Sequence, residues 1–207
     1  MRKLLVLGVF GISSLALAGT CFAGSPYFSG NFGFVAVSDA DVTNDEFAGL
    51  GISNVEISFD NGLGLSLAAG ADNELVRVEG EFSYRKNDMD DLSASFGGVS
   101  DSTPLNGEIE SMALMGNVIK DFNTDSALTP FLGLGLGFSK LDAEIEGDSE
   151  DDTVFAYQLI LGTGIKVAET TSIDLSYRYF AAADPEFDGT EIEYATHNFM
   201  IGARFDF

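Results

Sequence analysis

The chain is patterned in two ways. Leu4 to Leu17 is one continuous apolar run, opened by Arg2 and Lys3 and followed by small residues. From residue 24 onward, apolar and polar positions alternate one by one, a period of two that places successive side chains on opposite faces of β-strands. In residues 76–85, Val76, Val78, Gly80, Phe82 and Tyr84 share one face, and Arg77, Glu79, Glu81, Ser83 and Arg85 share the other. Ile173, Leu175, Tyr177 and Tyr179 likewise oppose Asp174, Ser176 and Arg178. Phe199, Ile201, Ala203, Phe205 and Phe207 oppose Asn198, Met200, Gly202, Arg204 and Asp206. Leu132, Leu134, Leu136 and Phe138 are interleaved with Gly133, Gly135 and Gly137. The same alternation runs through 28–34, 63–68 and 155–162, and less cleanly through 112–119, where Met115 and Ile119 blur the polar face.

These segments predict eight strands, at 27–37, 56–70, 75–86, 109–120, 130–141, 154–166, 172–180 and 192–207. A membrane-crossing strand needs about 9–11 residues, which each segment supplies. Pro26 and Pro130 fall at strand starts, and Pro104 and Pro185 fall in connections, where a missing N–H does no harm. The connections alternate in length: 70–74, 121–129 and 167–171 are short, while 38–55, 87–108, 142–153 and 181–191 are long. With an even strand count, the short turns and both termini gather at one end and the long loops at the other. This is the asymmetry of an outer-membrane barrel. The predicted fold is all-β: an eight-stranded antiparallel up-and-down transmembrane β-barrel.

A soluble barrel of the lipocalin kind also alternates, but its apolar face lines a ligand pocket. Three features turn the apolar face toward lipid instead. The polar faces are rich in Gly, Ala and Ser, as a narrow lumen requires. The arginines Arg77, Arg85, Arg178 and Arg204 all lie on those faces, near Glu79, Glu81 and Asp174. The final strand ends in Phe207, with aromatics at Phe205 and Phe199. Register is strongly specified, because a one-residue slip of the third strand would expose Arg77 and Arg85 to lipid, at about 2–4 kcal/mol for each Arg at the midplane.

The apolar run at the start reads as an export signal, with residues 1–23 as signal peptide and 24–207 as the barrel. Cleavage after Ala23 leaves Cys21 at −3; cleavage after Ala18 is the alternative and would leave a free Cys21. A lipoprotein signal fits less well, because Thr20 stands where a smaller residue is expected. Loss of Arg2 and Lys3 takes the net charge from −23 to −25. A charge of this sign excludes the basic footprint of a nucleic-acid binder and opposes adhesion to anionic lipid. One Cys excludes an intramolecular disulfide framework. No apolar run beyond the signal is long enough for a transmembrane helix.

Several ordered motifs carry a family resemblance: V-S-D-A-D-V-T (37–43), S-F-D-N-G-L-G (58–64), V-R-V-E-G-E-F-S-Y-R (76–85), M-G-N-V-I-K-D-F (115–122), L-T-P-F-L-G-L-G-L-G (128–137) and S-Y-R-Y-F (176–180). Together they resemble the opacity-protein and surface-antigen family of eight-stranded barrels, and the OmpA-like transmembrane domain is similar in architecture. The resemblance covers essentially all of 24–207. It implies an outer-membrane location, surface-exposed loops and outer-membrane lipid as the surrounding solvent. The terminal I-G-A-R-F-D-F (201–207) looks like the strand recognised by the barrel-assembly machinery, with Phe199, Ile201, Phe205 and Phe207 as its signal.

The polar faces nominate Arg77, Glu79, Glu81, Arg85, Asp174, Arg178 and Arg204 as lumen ion pairs. Arg178 is expected to reach Glu79 or Glu81. Eight strands enclose an interior that side chains just fill, so a wide pore is excluded and a narrow low-conductance path is the alternative. His197, the single histidine, shares the parity of Phe199 and is expected outside near the upper rim, away from a catalytic partner. The chain is therefore expected not to be an enzyme and to need no cofactor. The Gly-rich 133–138 segment lies inside a strand and is no phosphate loop.

The long connections carry the charge: five acids in 38–56, six in 86–110, seven in 139–153 and five in 181–193, opposed only by Lys86 and Lys140. They form a solvated acidic apron. Within it Asp148, Glu150, Asp151 and Asp152 are candidates for weak cation binding without a preformed metal cage. Asp39-Ala-Asp41 begins like a calcium loop but lacks its Gly at the sixth position. The expected role is structural or surface-interacting, through a basic host or matrix surface, in a protein that acts as a monomer.

Overall fold

In a computed structural model of the protein, the described residues are 24–38, 40–43, 52–73, 75–96, 99–122, 127–145, 148–183, 186–187, 190–192 and 194–207. The predicted signal, 1–23, lies outside them. The strands are β1 (Ser25–Val37), β2 (Ala40–Thr43), β3 (Ile52–Phe59), β4 (Gly62–Asp72), β5 (Arg77–Phe96), β6 (Val99–Asp121), β7 (Leu128–Ile145), β8 (Asp148–Ala168), β9 (Thr171–Ala182), β10 (Glu186–Phe187), β11 (Thr190–Ile192) and β12 (Tyr194–Asp206). Eight of them close a ring in the order β1-β4-β5-β6-β7-β8-β9-β12, and β12 pairs antiparallel with β1 from Tyr27↔Asp206 to Val37↔Thr196. Closure leaves no open sheet edge within the apolar belt, as a lipid-embedded backbone requires.

The strand parities match the sequence reading. Phe32, Phe34, Leu65, Phe82, Leu114, Leu134, Leu136, Leu161 and Phe199 are exposed, while Asn31, Ser66, Glu81, Asn117, Gln158, Arg178 and Asn198 are buried. A continuous belt of exposed large apolar side chains would aggregate in water and is at rest in lipid. No helix among the described residues is long and apolar enough to cross a membrane; the crossing is made by strands.

Two expectations are corrected. The predicted strand 56–70 is two strands, β3 and β4, separated at Asp60 and Asn61. The inward-facing Asn87 accounts for the break: its Nδ2 donates to Asp60 O and to Val35 O, both at 2.9 Å. Strands also run into all four segments predicted as long loops: β2 and the start of β3 fall in 38–55, β5 and β6 continue into 87–108, β7 and β8 into 142–153, and β10 and most of β11 fall in 181–191. β5 and β6 stay paired as far as Phe96↔Val99, and β7 and β8 as far as Ile145↔Asp148.

The extension has its own pattern, with the polarity reversed. Along β7, Leu132, Leu134, Leu136 and Phe138 face out in the lower part; above them Lys140, Asp142 and Glu144 face out, and Leu141 and Ala143 are buried. On β5 the outward row runs from Phe82 to Lys86 and Asp88, and the inward row changes from Arg85 to Met89. On β6 it is Ile109 that is buried, between outward Glu108 and Glu110. The barrel is therefore apolar outside and mainly polar inside at membrane level, where Ile119, Phe131 and Ile160 make one small apolar cluster, and apolar inside and charged outside beyond it. The solvent changes from lipid to water along each strand, and the parity of burial changes with it.

Candidate functional site: a side-chain-filled lumen and an acidic outer end

The membrane-level interior is a continuous hydrogen-bonded network. Tyr27 donates to Glu79 Oε2 at 2.6 Å, and Asn117 Nδ2 donates to Glu79 Oε1 at 2.9 Å. Gln158 Nε2 donates to Asn117 Oδ1 at 2.8 Å and to Glu81 Oε1 at 3.2 Å. Arg178 Nη1 donates to Glu81 Oε2, which is the cross-lumen pair expected for Arg178. Gly135 makes room for this network: a Cβ there would collide with Asn117 Oδ1 and come within 2.8 Å of Gln158 Cγ.

The remaining charges are arranged around it. Arg77 binds Asp121 in a two-pronged pair, Nε–Oδ2 at 2.7 Å and Nη2–Oδ1 at 2.9 Å, between the rings of Tyr27 and Phe131. Arg204 Nε lies 3.2 Å from Asp174 Oδ2. Two members of the expected ion-pair set are held differently. Glu79 is satisfied by neutral donors, Tyr27 and Asn117. Arg85 has no carboxylate within ion-pair distance among the described residues. Its Nε donates to Asn198 Oδ1 at 2.9 Å, its Nη1 donates to Ser83 Oγ at 3.0 Å, and its guanidinium lies 3.9 Å over the Phe180 ring. The inward carboxylates of its own strand are engaged elsewhere, Glu81 by Arg178 and Glu79 by Tyr27 and Asn117, and an aromatic face packs against the guanidinium in their place.

Around and above Arg85 the interior becomes largely an apolar plug. Val37, Met89, Ile109, Ala113, Met115, Leu141, Ala143, Ala156, Phe180, Ala182 and Tyr194 form one buried cluster. The sequence reading expected a polar lumen and missed this layer. The signal was present in K-L-D-A-E-I (140–145), whose alternation continues through a segment assigned to a loop. At the opposite, terminal end the interior opens into a polar recess of about 460 Å³ bordered by Asp72, Asp121, Lys166, Glu169, Arg204 and Asp206. A second recess, about 530 Å³, lies on the lipid-facing side between Phe32, Phe34, Leu63, Leu175, Phe199 and Ile201, away from the lumen.

At the outer end, Lys86 Nζ lies 2.5 Å from Glu108 Oε2 and 3.3 Å from Glu110 Oε1, and Lys140 Nζ lies 2.7 Å from Asp142 Oδ1 and 3.3 Å from Asp151 Oδ2. Both lysines are thus already engaged by acids. The four residues nominated for cation binding lie on one strand, β8. Asp148, Glu150 and Asp152 share one strand parity and Asp151 has the other, opposite Asp142 in register. The side chain of Asp148 lies outside the described residues. Among the described residues no group of three or more His, Cys, Asp or Glu side chains is placed to hold a metal ion.

His197 faces out, as expected. Tyr177 Oη and His197 Nδ1 are 2.7 Å apart, and the rings of Tyr177 and Tyr179 pack against the imidazole. This is an aromatic collar at the outer boundary of the belt. The terminal residues Phe199, Ile201, Phe205 and Phe207 are also outward and exposed, and Phe207 N donates to Pro26 O at 3.0 Å across the β12–β1 seam.

A closed antiparallel barrel with a lipid-facing belt and a side-chain-filled interior is a membrane-spanning β-barrel. The chain belongs to the outer membrane protein beta-barrel domain family, whose model matches residues 4–207, and this places it in the outer membrane. No curated protein matches the chain. Among solved structures it is similar to Neisserial surface protein A (15% identity, 88% of this chain and 97% of that one, TM-score 0.57). It is similar to the outer membrane protein OprG from Pseudomonas aeruginosa (16% identity, 88% and 96%, TM-score 0.57). It also resembles the outer membrane protease OmpT from Escherichia coli (9% identity, 88% and 97%, TM-score 0.53). At these identities the likeness is one of fold.

Proposed function

We propose that this protein is a non-catalytic surface-interaction barrel: a sealed membrane anchor that presents an acidic outer wall to basic partners, such as a host or matrix surface. The observation that carries the reading is the contrast between interior and rim. The polar network and the apolar plug occupy the barrel from Tyr27 to Tyr194, while Asp88, Glu144, Glu150 and Asp151 stay exposed on the raised β5–β8 wall. A field of one sign on a projecting surface raises the encounter rate with oppositely charged partners and weakens with salt. Intact cells that express the protein should bind a basic polymer surface more than cells lacking it, and the difference should fall steeply with ionic strength. Equal binding by both cell types would overturn the reading.

The second reading, a narrow low-conductance channel, draws on the charged lumen residues at membrane level. Planar-bilayer recording separates the two. The sealed barrel gives no single-channel steps, whereas a channel gives steps that change when Arg178 is replaced by Glu. The catalytic alternative rests on the fold shared with a protease and turns on His197; peptide cleavage that disappears in His197→Ala would establish it against our reading. Assembly is proposed to depend on the outward terminal set. Deletion of Phe207 should lower outer-membrane yield and increase periplasmic degradation.

A further inference from the structure

The lipid-facing wall is uneven on one side. Across β1, β12 and β9, two successive rungs carry large side chains, Phe34-Phe199-Tyr177 and Phe32-Ile201-Leu175. The next rung toward the terminal end is Gly30-Ala203-Ile173, and a Cβ on Gly30 would meet nothing nearer than Leu67 Cδ2 at 3.4 Å. The recess of about 530 Å³ lies among the upper two rungs and has no charged residue in its lining. Its volume falls within the roughly 300–1,000 Å³ of small-ligand pockets. The low rung beneath continues it as a shallow track.

The upper end of this groove is polar. Tyr177 borders the recess, and its Oη lies 2.7 Å from His197 Nδ1. A phenol and a neutral imidazole bring one hydrogen each. Their mutual bond uses one, whichever way it runs. The other has no acceptor among the described residues, and it sits where aromatic groups with polar tips mark the membrane interface. The strand from His197 to Ala203 covers about 20 Å at about 3.4 Å per residue. At the roughly 35–45° tilt of such strands, that is a depth of about 15 Å, half of the roughly 30 Å hydrocarbon core. An apolar track one leaflet deep, with a hydrogen-bond donor at its outer end, has the outline of an acyl chain below its head group. Lipid tails gain no hydrophobic driving force from an apolar wall, so what sets one site apart from the rest of the belt is packing and hydrogen bonding. This groove offers both. We propose that it holds one acyl chain of an outer-leaflet lipid as a resident ligand, with an ester or phosphate oxygen of the head region accepting the hydrogen left over by Tyr177 and His197.

The test uses the barrel in bilayers that contain a phosphatidylethanolamine with a photoreactive diazirine on one acyl chain. After irradiation of the unmodified protein, peptides from β1, β9 and β12 should carry several-fold more label than the β7 face at Leu134 and Leu136, which is likewise exposed to lipid. Even labelling around the belt is the pattern of bulk lipid and overturns the proposal. Leu175→Trp fills the groove and should bring its label down to the β7 level, whereas Leu134→Trp should leave groove labelling unchanged; the reverse response also overturns the site. Tyr177→Phe combined with His197→Phe keeps aromatic walls and removes the free hydrogen, so groove label should fall several-fold. Undiminished label in that variant refutes the head-group contact and the proposal with it. Crosslinks between two copies of the chain at Leu175, in place of lipid adducts, would assign the groove to a dimer and overturn the lipid site.

Discussion

The lower and upper halves of this barrel are built from the same strands by opposite rules. At membrane level the outward side chains gain little from contact with lipid, and order is imposed from inside by a matched network of Arg178, Glu81, Gln158, Asn117 and Glu79. Above the belt the outward charges are hydrated, and order comes from apolar burial of Leu141, Ile109, Met89 and Phe180. The difference teaches that a β-barrel wall has no intrinsic inside chemistry. Each rung buries whichever face its local solvent rejects: polar groups are kept from lipid because an unpaired one is costly there, and apolar groups are kept from water by the hydrophobic effect.

The contrast breaks most severely at the polar tier. Glu81→Ala leaves the Arg178 guanidinium buried and unpaired, and removing one partner of such a pair costs about 3–5 kcal/mol. Arg178→Met combined with Glu81→Ala should cost less than Glu81→Ala alone; the check is a double-mutant cycle on equilibrium unfolding in lipid. Strictly additive costs would refute the direct coupling.

The upper tier should respond as a soluble core does. Leu141→Ala deletes buried methyl groups and should cost about 2–5 kcal/mol, with amide exchange accelerating in the upper β6–β8 wall before the lower barrel. If 141 behaved as a loop position, exchange and stability would stay unchanged.

One substitution placed on either side of the boundary sharpens the comparison. Leu134→Arg puts a cation on the lipid face, at a cost of about 2–4 kcal/mol near the midplane. Asp142→Arg, four rungs higher on the same outward row, should stay within about 0.5 kcal/mol, as surface changes do. Unfolding of both variants in the same bilayer gives the ratio directly, and equal costs would place 142 inside the belt.

The smallest effect belongs to the rim. The Glu108 carboxylate, by accepting a hydrogen bond from Lys86, raises the Lys86 ammonium above its ordinary value. A raised folded-state value gives stability that is fully present below the unfolded lysine value of about 10.4 and is lost as pH rises through the folded one. The pair is exposed, so Lys86→Ala should cost no more than about 1 kcal/mol and less in high salt. An alkaline titration of unfolding, with and without the substitution, checks both the sign and the size.

The sequence by itself determined the barrel, its eight membrane strands and their parity. Alternation is a property of neighbouring residues, and a one-residue slip would put Arg77, Glu79, Glu81 and Arg85 in lipid. It also assigned Arg178 and Glu81 to one interior, because both lie mid-strand on polar faces. Tertiary structure decided which partner each charge received. Barrel shear sets the relative height of β5, β6 and β9, and so gave Glu81 to Arg178, Asp121 to Arg77, and an aromatic ring to Arg85. It also decided where strand ends and loop begins. The residues of 140–145 alternate as regularly as those of 132–138, but with charges on the row that leucines hold below. Only the closed ring, with Leu141 and Ala143 turned toward Ile109 and Phe180, shows that this reversal marks the passage of the wall from lipid into water.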